Sequence, residues 1–212
     1  MDRLRYEMAF DGVEERGSDS HYSFRRFTAD LNHTFPLYRN SGSYGPKSTN
    51  GPDECGLALG ATKCPAIQRN REGSIGIRLL IAESIASAGS VVPFYFQPTL
   101  GGSDINGNPW LPSYNDYRFR APNALLLRES FEHSIWGPIG FTITADQGKV
   151  ALMRSDIAFN RLAHSFSSGL TLRAGGLPAV SLAVAWAGPE AIHTLATVNN
   201  SLLGGSARPP LF

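Results

Sequence analysis

Gly140-Phe141-Thr142-Ile143-Thr144-Ala145-Asp146 puts Phe141, Ile143 and Ala145 on one side of an extended chain and Thr142, Thr144 and Asp146 on the other. A period of two is the mark of a strand, because successive side chains point to opposite faces of a sheet. The alternation recurs in both directions along the chain. Residues 165–173 set Phe166, Leu170 and Leu172 against Thr171 and Arg173. Ile75, Ile77, Leu79 and Ile81 oppose Gly76 and Arg78, and Leu4, Tyr6, Met8 and Phe10 oppose Arg3, Arg5 and Glu7. With few helix signals between these runs, the chain reads as all-β: an antiparallel β-barrel of about eight strands, transmembrane or soluble.

The 212 residues suffice for one domain, taken as 1–212, and a net charge of +1 offers nothing to attract nucleic acid. The 22 glycines and 14 prolines suit many turns rather than long helices. No apolar run approaches the roughly 20 residues of a membrane helix. A membrane strand needs only about 9–11 residues, half of them facing lipid, so average hydropathy conceals it.

The predicted strands span 3–13, 22–35, 74–87, 123–135, 138–146, 164–174, 179–187 and 192–203. Trp136-Gly137-Pro138 and residues 174–178 read as tight turns, while 36–73, 88–122 and 147–163 are long connections. Leu125, Leu127, Phe131 and Ile135 share a face, with Arg128, Ser130, Glu132 and Ser134 opposite. Val180, Leu182, Val184 and Trp186 likewise share one. In a membrane barrel the apolar face meets lipid and the polar face lines the lumen. In a soluble barrel the faces exchange roles, and the interior would bind a small apolar ligand. Strand length and the charges on the polar face, among them Arg26, Asp30, Arg78, Arg128, Glu132 and Asp146, favour the membrane.

Chemistry is sparse. The five histidines lie on separate elements without ligand spacing, so no metal or other cofactor is expected. Asp104-Ile105-Asn106-Gly107-Asn108 is like the start of a calcium loop, but Pro109 and Asn115 occupy positions where glycine and glutamate belong; turn chemistry is the better reading. His133-Ser134 and His164-Ser165 are neighbours on strands and point to opposite faces, so neither forms a catalytic dyad. No enzyme is expected. Cys55 and Cys64 lie in a segment rich in Gly, Pro, Asn and Ser. They read as a disulfide closing a short loop, against half of a zinc site that lacks its other ligands.

Pro93-Phe94-Tyr95-Phe96-Gln97-Pro98-Thr99-Leu100-Gly101-Gly102 resembles the opening of the long lumen-entering loop of the BamA/TamA outer-membrane assembly family, the bacterial surface antigen family. Upstream, residues 29–37 resemble that family's strand ending in aromatic-Pro-Leu. Downstream, Tyr117-Arg118-Phe119-Arg120, Leu125-Leu126-Leu127 and Glu132 resemble its strand with an inward glutamate. Trp136-Gly137-Pro138, the Asp146-Gln147-Gly148 strand end and Gly169-Leu170-Thr171-Leu172-Arg173 follow in the family's order. The likeness runs from about residue 22 to about 203 and corresponds to the C-terminal half of the family's barrel.

The resemblance implies a bacterial outer-membrane protein surrounded by lipid, acting in outer-membrane protein insertion, translocation or secretion on unfolded outer-membrane or secreted substrates. It implies that 88–122 is a lumen loop, with Leu100, Gly101, Gly102 and Tyr114 on it. Glu132 and Asp146 are then inward carboxylates, with Arg118, Arg120 and Arg128 as their candidate cations. The segment 36–73 falls on the periplasmic side, which is oxidising, as an insert suited to a periplasmic partner. Met1 leads into a strand pattern without an apolar signal core, which fits either a cytosolic protein or, as preferred here, the C-terminal part of a longer chain; the other membrane reading is a shortened barrel that closes with eight strands. One departure stands out. The family's hydrophobic-Arg-Gly-aromatic tetrad aligns with Leu111-Pro112-Ser113-Tyr114, which puts Arg-dependent insertion activity in doubt.

Overall fold

The computed structural model describes residues 3–13, 20–44, 67–104, 107–136, 138–174, 177–186, 190 and 192–198. Its strands are β1 (Arg3–Val13), β2 (Phe24–Tyr44), β3 (Ile67–Ala86), β4 (Thr99–Leu100), β5 (Phe119–Arg120), β6 (Asn123–Trp136), β7 (Ile139–Ala151), β8 (Ala163–Ala174), β9 (Leu177–Trp186) and β10 (His193–Val198). Only short 3-10 turns accompany them among the described residues, and none is long and apolar enough to cross a membrane.

Eight strands make one antiparallel sheet in the order β1-β2-β3-β6-β7-β8-β9-β10; β4 and β5 pair separately. Apart from the excursion between β3 and β6, each strand pairs with its successor, as expected of a meander. Closure is where the expectation is corrected. Among the described residues β1 pairs only with β2 and β10 only with β9, so the sheet is open rather than a closed barrel.

The two ends of the sheet differ. β1–β2, β3–β6, β7–β8 and β9–β10 connect at the end marked by Val13, Phe24, Ala86, Asn123 and Ala151, called here the loop end. β6–β7 and β8–β9 connect at the opposite, turn end. β2 and β3 also outrun the sheet there. Their ladder continues to Tyr44↔Ile67, whereas β1 stops pairing at Thr34 and β6 at Gly73. The two ends of 36–73, residues 36–44 and 67–73, are therefore paired strand. At about 3.4 Å per residue, the six residues from 39 to 44 carry the ladder roughly 20 Å past its last contact with β6. The register slips between Pro36 and Tyr38, where proline cannot donate to the ladder. Cys55 and Cys64, with the rest of 45–66, lie outside the described residues.

The alternation written in the sequence decides the faces. Tyr6, Met8, Phe27, Leu31, Ile75, Ile77, Ile135, Ile143, Leu170, Leu182 and Val184 all point to one side, and all are exposed. At mid-sheet Leu170 and Leu182 are 54% and 59% exposed and stand opposite one another across β8 and β9. Leu79, Ile81, Leu127, Phe131 and Phe141 are half-buried on the same face, and Leu125, near the loop end, is 2% exposed. The core lies on the other side. Leu100, Trp110, Leu111 and Tyr114 of the loop 88–122 pack against Leu126 of β6, with Leu80, Phe119, Val150 and Ala163 around them.

Candidate functional site

The site is built where this loop meets the polar face. Four strands bring a row of charges together. Arg78 of β3 stands directly across from Arg128 of β6, and Arg128 directly across from Asp146 of β7. Opposed like charges destabilise a sheet. Here each cation has its own carboxylate. Arg78 donates from Nε and Nη2 to Asp30 of β2 at 2.8 and 2.5 Å, and Arg128 donates from Nε and Nη2 to Asp146 at 2.6 and 2.5 Å. Such fork-on-carboxylate pairs hold geometry as well as charge.

Trp110 lies over both guanidiniums, 4.7 Å from that of Arg78 and 4.5 Å from that of Arg128. Desolvated contacts of this kind are worth about 2 kcal/mol. The indole Nε1–H donates to Asp104 at 2.9 Å, and Asp104 also accepts from the backbone and side-chain amides of Asn108. Asp104 is thus committed to a turn that holds the tryptophan. Among the described residues no three His, Cys, Asp or Glu side chains gather as a metal site requires.

The loop tip is tied down by its backbone. Leu111 donates its N–H to Asp146 at 3.1 Å, Ser113 donates its N–H to the hydroxyl of Ser165 at 2.9 Å, and Arg128 also donates to the carbonyl of Pro109. Leu111 adopts φ +50°, a left-handed conformation that ordinarily costs a bulky residue 1–3 kcal/mol, so the packing around its buried side chain holds it there. Leu111-Pro112-Ser113-Tyr114, the stretch without Arg and Gly, is buried throughout. The cation at this place comes from β6 instead of the loop.

Asp146 is 1% exposed and lies five residues from Ala151, the loop end of β7. The loop therefore reaches about 17 Å down the strands rather than resting at their rim. It touches β2 as well, where Arg26 donates to the carbonyl of Phe96. Gly148 makes room for it: a Cβ there would sit 3.0–3.2 Å from methyls of Leu100, Leu111 and Leu126. Gly101 and Gly102 turn the chain back at φ +100° and +57°.

Of the residues singled out from the sequence, the structure joins Asp146 and Arg128 and seats Leu100, Gly101, Gly102 and Tyr114 in the buried loop. Arg118 and Arg120 are elsewhere, which corrects their pairing with the inward carboxylates. Arg118 donates to Glu190 at 2.5 Å, and Arg120 donates to the carbonyl of Phe94 at 2.7 Å while lying over the Phe94 and Tyr117 rings. Glu190 also accepts the Asn115 N–H at 2.8 Å, and that bond, with Arg118 beside it, holds its carboxyl below the usual range. Glu132 shares the polar face, four residues from Arg128 and so about 13 Å along β6. Asp146 lies within β7, not at its end as the resemblance implied.

Sequence reasoning missed Asp30–Arg78, Trp110 and Glu190. Asp30 and Arg78 were visible as charges on the polar face, but their meeting depends on strand register. Trp110 and Glu190 gave no signal. Comparison with protein-family models gives no match, and comparison with the curated proteins gives none either.

Proposed function

We propose that this chain forms the wall of a bacterial outer-membrane β-barrel, with its apolar face against lipid. In this reading the protein is of the BamA/TamA-like surface antigen kind and acts non-enzymatically in outer-membrane protein insertion, translocation or secretion. One observation carries it. Large apolar side chains of seven neighbouring strands stand exposed on one face, while the opposite face holds the largely buried Asp146–Arg128 pair and a packed loop. A water-soluble sheet does the reverse, since contiguous exposed apolar patches above a few hundred Å² mark interaction or membrane surfaces. A soluble barrel with an apolar ligand needs Leu170 and Val184 enclosed, and both are exposed.

The resemblance in the order of motifs supplies the class of activity, and the two-ended layout suits it. Longer connections at one end and tight turns at the other are the habit of outer-membrane barrels, and here every connection but that between β2 and β3 follows it. The loop end is then extracellular and the turn end periplasmic. The ribbon of β2 and β3 would extend into the periplasm, where a partner can reach 36–73. With the tip anchored by its backbone and the cation on the wall, the loop serves as a fixed plug that positions substrate contacts.

The test is reconstitution. Full-length protein offered to lipid vesicles should float with them, resist carbonate extraction and run faster on gels unheated than boiled. A monodisperse protein in detergent-free buffer that ignores vesicles would overturn the reading.

A further inference from the structure

The apolar face changes character toward the loop end. On β2, Phe35, Leu31 and Phe27 give way there to Arg25. On β7, Ile139 and Ile143 give way to Gln147 and Lys149, and on β8, Leu170 and Phe166 give way to His164. At the turn end the same face carries Ile135, Ile139 and Leu172 on β6, β7 and β8. In the membrane reading the loop end of this face is the boundary between hydrocarbon and headgroups. A basic residue just above apolar surface keeps its stem against the acyl chains and its charge among the headgroups.

The connection between β7 and β8, residues 152–162, turns this boundary into a site. Lys149 and Arg161 share a cleft of about 630 Å³ with Leu152, Ser155, Asp156 and Asn160. Lys149 donates from Nζ to the side-chain oxygen of Asn160 at 3.1 Å, which leaves its ammonium further donors for a ligand. Arg161 makes no hydrogen bond or ion pair among the described residues. Its backbone stands at φ +51°, where residues other than glycine are uncommon. The one carboxylate of the cleft, Asp156, accepts from the Ser155 hydroxyl at 3.5 Å. Arg154 donates from Nε and Nη2 to Glu83 of β3 at 3.0 and 2.7 Å, which ties the connection back across β6 and fixes the cleft. Leu152, Met153 and Phe159, on the same connection, are largely exposed.

We propose that this cleft binds the phosphorylated headgroup of a glycolipid in the leaflet at the loop end. Arg161 and Lys149 hold the phosphate, the guanidinium as a fork and the ammonium as a point charge. Ser155 and Asn160 offer hydrogen bonds to sugar hydroxyls. Cavities of roughly 300–1,000 Å³ suit ligands of several rings, so a phosphorylated sugar fills space that a bare phosphate would leave to water. Leu152, Met153 and Phe159 then lie among the acyl chains, contacts that a soluble phosphorylated sugar lacks. A zwitterionic headgroup brings no net charge to the two cations. The proposal rests on the membrane reading above and on its loop end facing outward.

The test offers full-length protein in mild detergent to lipid A, a glucosamine disaccharide carrying phosphates and acyl chains. Native mass spectrometry counts what stays bound. A lipid A adduct should form, and lipid A stripped of its phosphates should bind roughly tenfold more weakly. Lys149→Gln with Arg161→Gln should weaken the phosphorylated adduct by a similar factor, while the variant still floats with phosphatidylcholine vesicles. Equal retention of the dephosphorylated lipid would overturn the proposal, and that comparison uses the unaltered protein, so it stands even where the double variant misfolds. So would a floating double variant that retains lipid A undiminished. If the deacylated, phosphorylated disaccharide bound as tightly as the lipid, the cleft would belong to a soluble ligand and the lipid assignment would fall. Flotation keeps the two ideas apart. Protein that floats with phosphatidylcholine but ignores lipid A loses only the headgroup site; protein that fails to float loses the membrane reading and the site with it.

Discussion

Asp146 concentrates the loop's anchorage in one carboxylate. Its oxygens accept two bonds from Arg128 and one from the Leu111 amide, with almost no water in reach. Asp146→Ala would leave the Arg128 guanidinium largely buried against Trp110 with only the Pro109 carbonyl. Breaking a buried pair by removing one partner costs 3–5 kcal/mol. Taking about 3 kcal/mol, the open loop should be populated roughly a hundredfold more. Limited proteolysis of the vesicle-inserted protein should find new cleavage within 100–118. Arg118→Ala should do much less, because that side chain is 56% exposed and surface pairs contribute about 0–1 kcal/mol. Equal cleavage in the two variants would count against Asp146 as the anchor.

At the scale of elements, the loop 88–122 behaves as a small folded unit clamped to the sheet. Its own bonds turn it back on itself: Gly101 and Gly102 donate to the carbonyls of Trp110 and Leu111, and Tyr117 donates to that of Gly101. Gly101 must keep φ +100°, and a Cβ there would lie 2.7 Å from the Cβ of Arg118 and 2.9 Å from the Asn115 carbonyl oxygen. Gly101→Ala should therefore destabilise the loop by about 1–3 kcal/mol while leaving the β-sheet circular dichroism unchanged. Hydrogen exchange would show it as faster exchange at Tyr117 and Gly102, with β6 and β7 amides still protected. Gly148→Ala asks less, since the methyls it meets at 3.0–3.2 Å are the far ends of leucines. If the sheet melted with the loop in Gly101→Ala, the two would be one cooperative unit.

The whole molecule turns on which solvent its apolar face meets. Leu170 lies in the middle of the sheet, between Phe141 and Leu182, and is exposed. Against lipid, Leu170→Lys should cost about 2–4 kcal/mol near the bilayer midplane. Against water, an exposed substitution of this sort changes stability by less than about 0.5 kcal/mol. Urea titration of vesicle-folded protein distinguishes them. Thr144→Lys, on the polar face, serves as the comparison and should be tolerated better than Leu170→Lys in the membrane.

Much of this architecture was legible in the sequence, because alternation is local. A residue's face follows from its neighbours two positions away, so the strands and the sidedness of Leu170 or Thr144 needed no partner. Asp146 and Arg128 showed for the same reason, as charges on the polar side. What only the tertiary structure decided is long-range. Register set Arg78 opposite Arg128, the landing of the loop put Trp110 over both and the Leu111 amide on Asp146, and Arg118 went to Glu190 across 72 positions of chain. The ribbon beyond Thr34 and the open edges at β1 and β10 likewise depend on which strands find each other, and a period of two is the same for a paired strand as for an unpaired one.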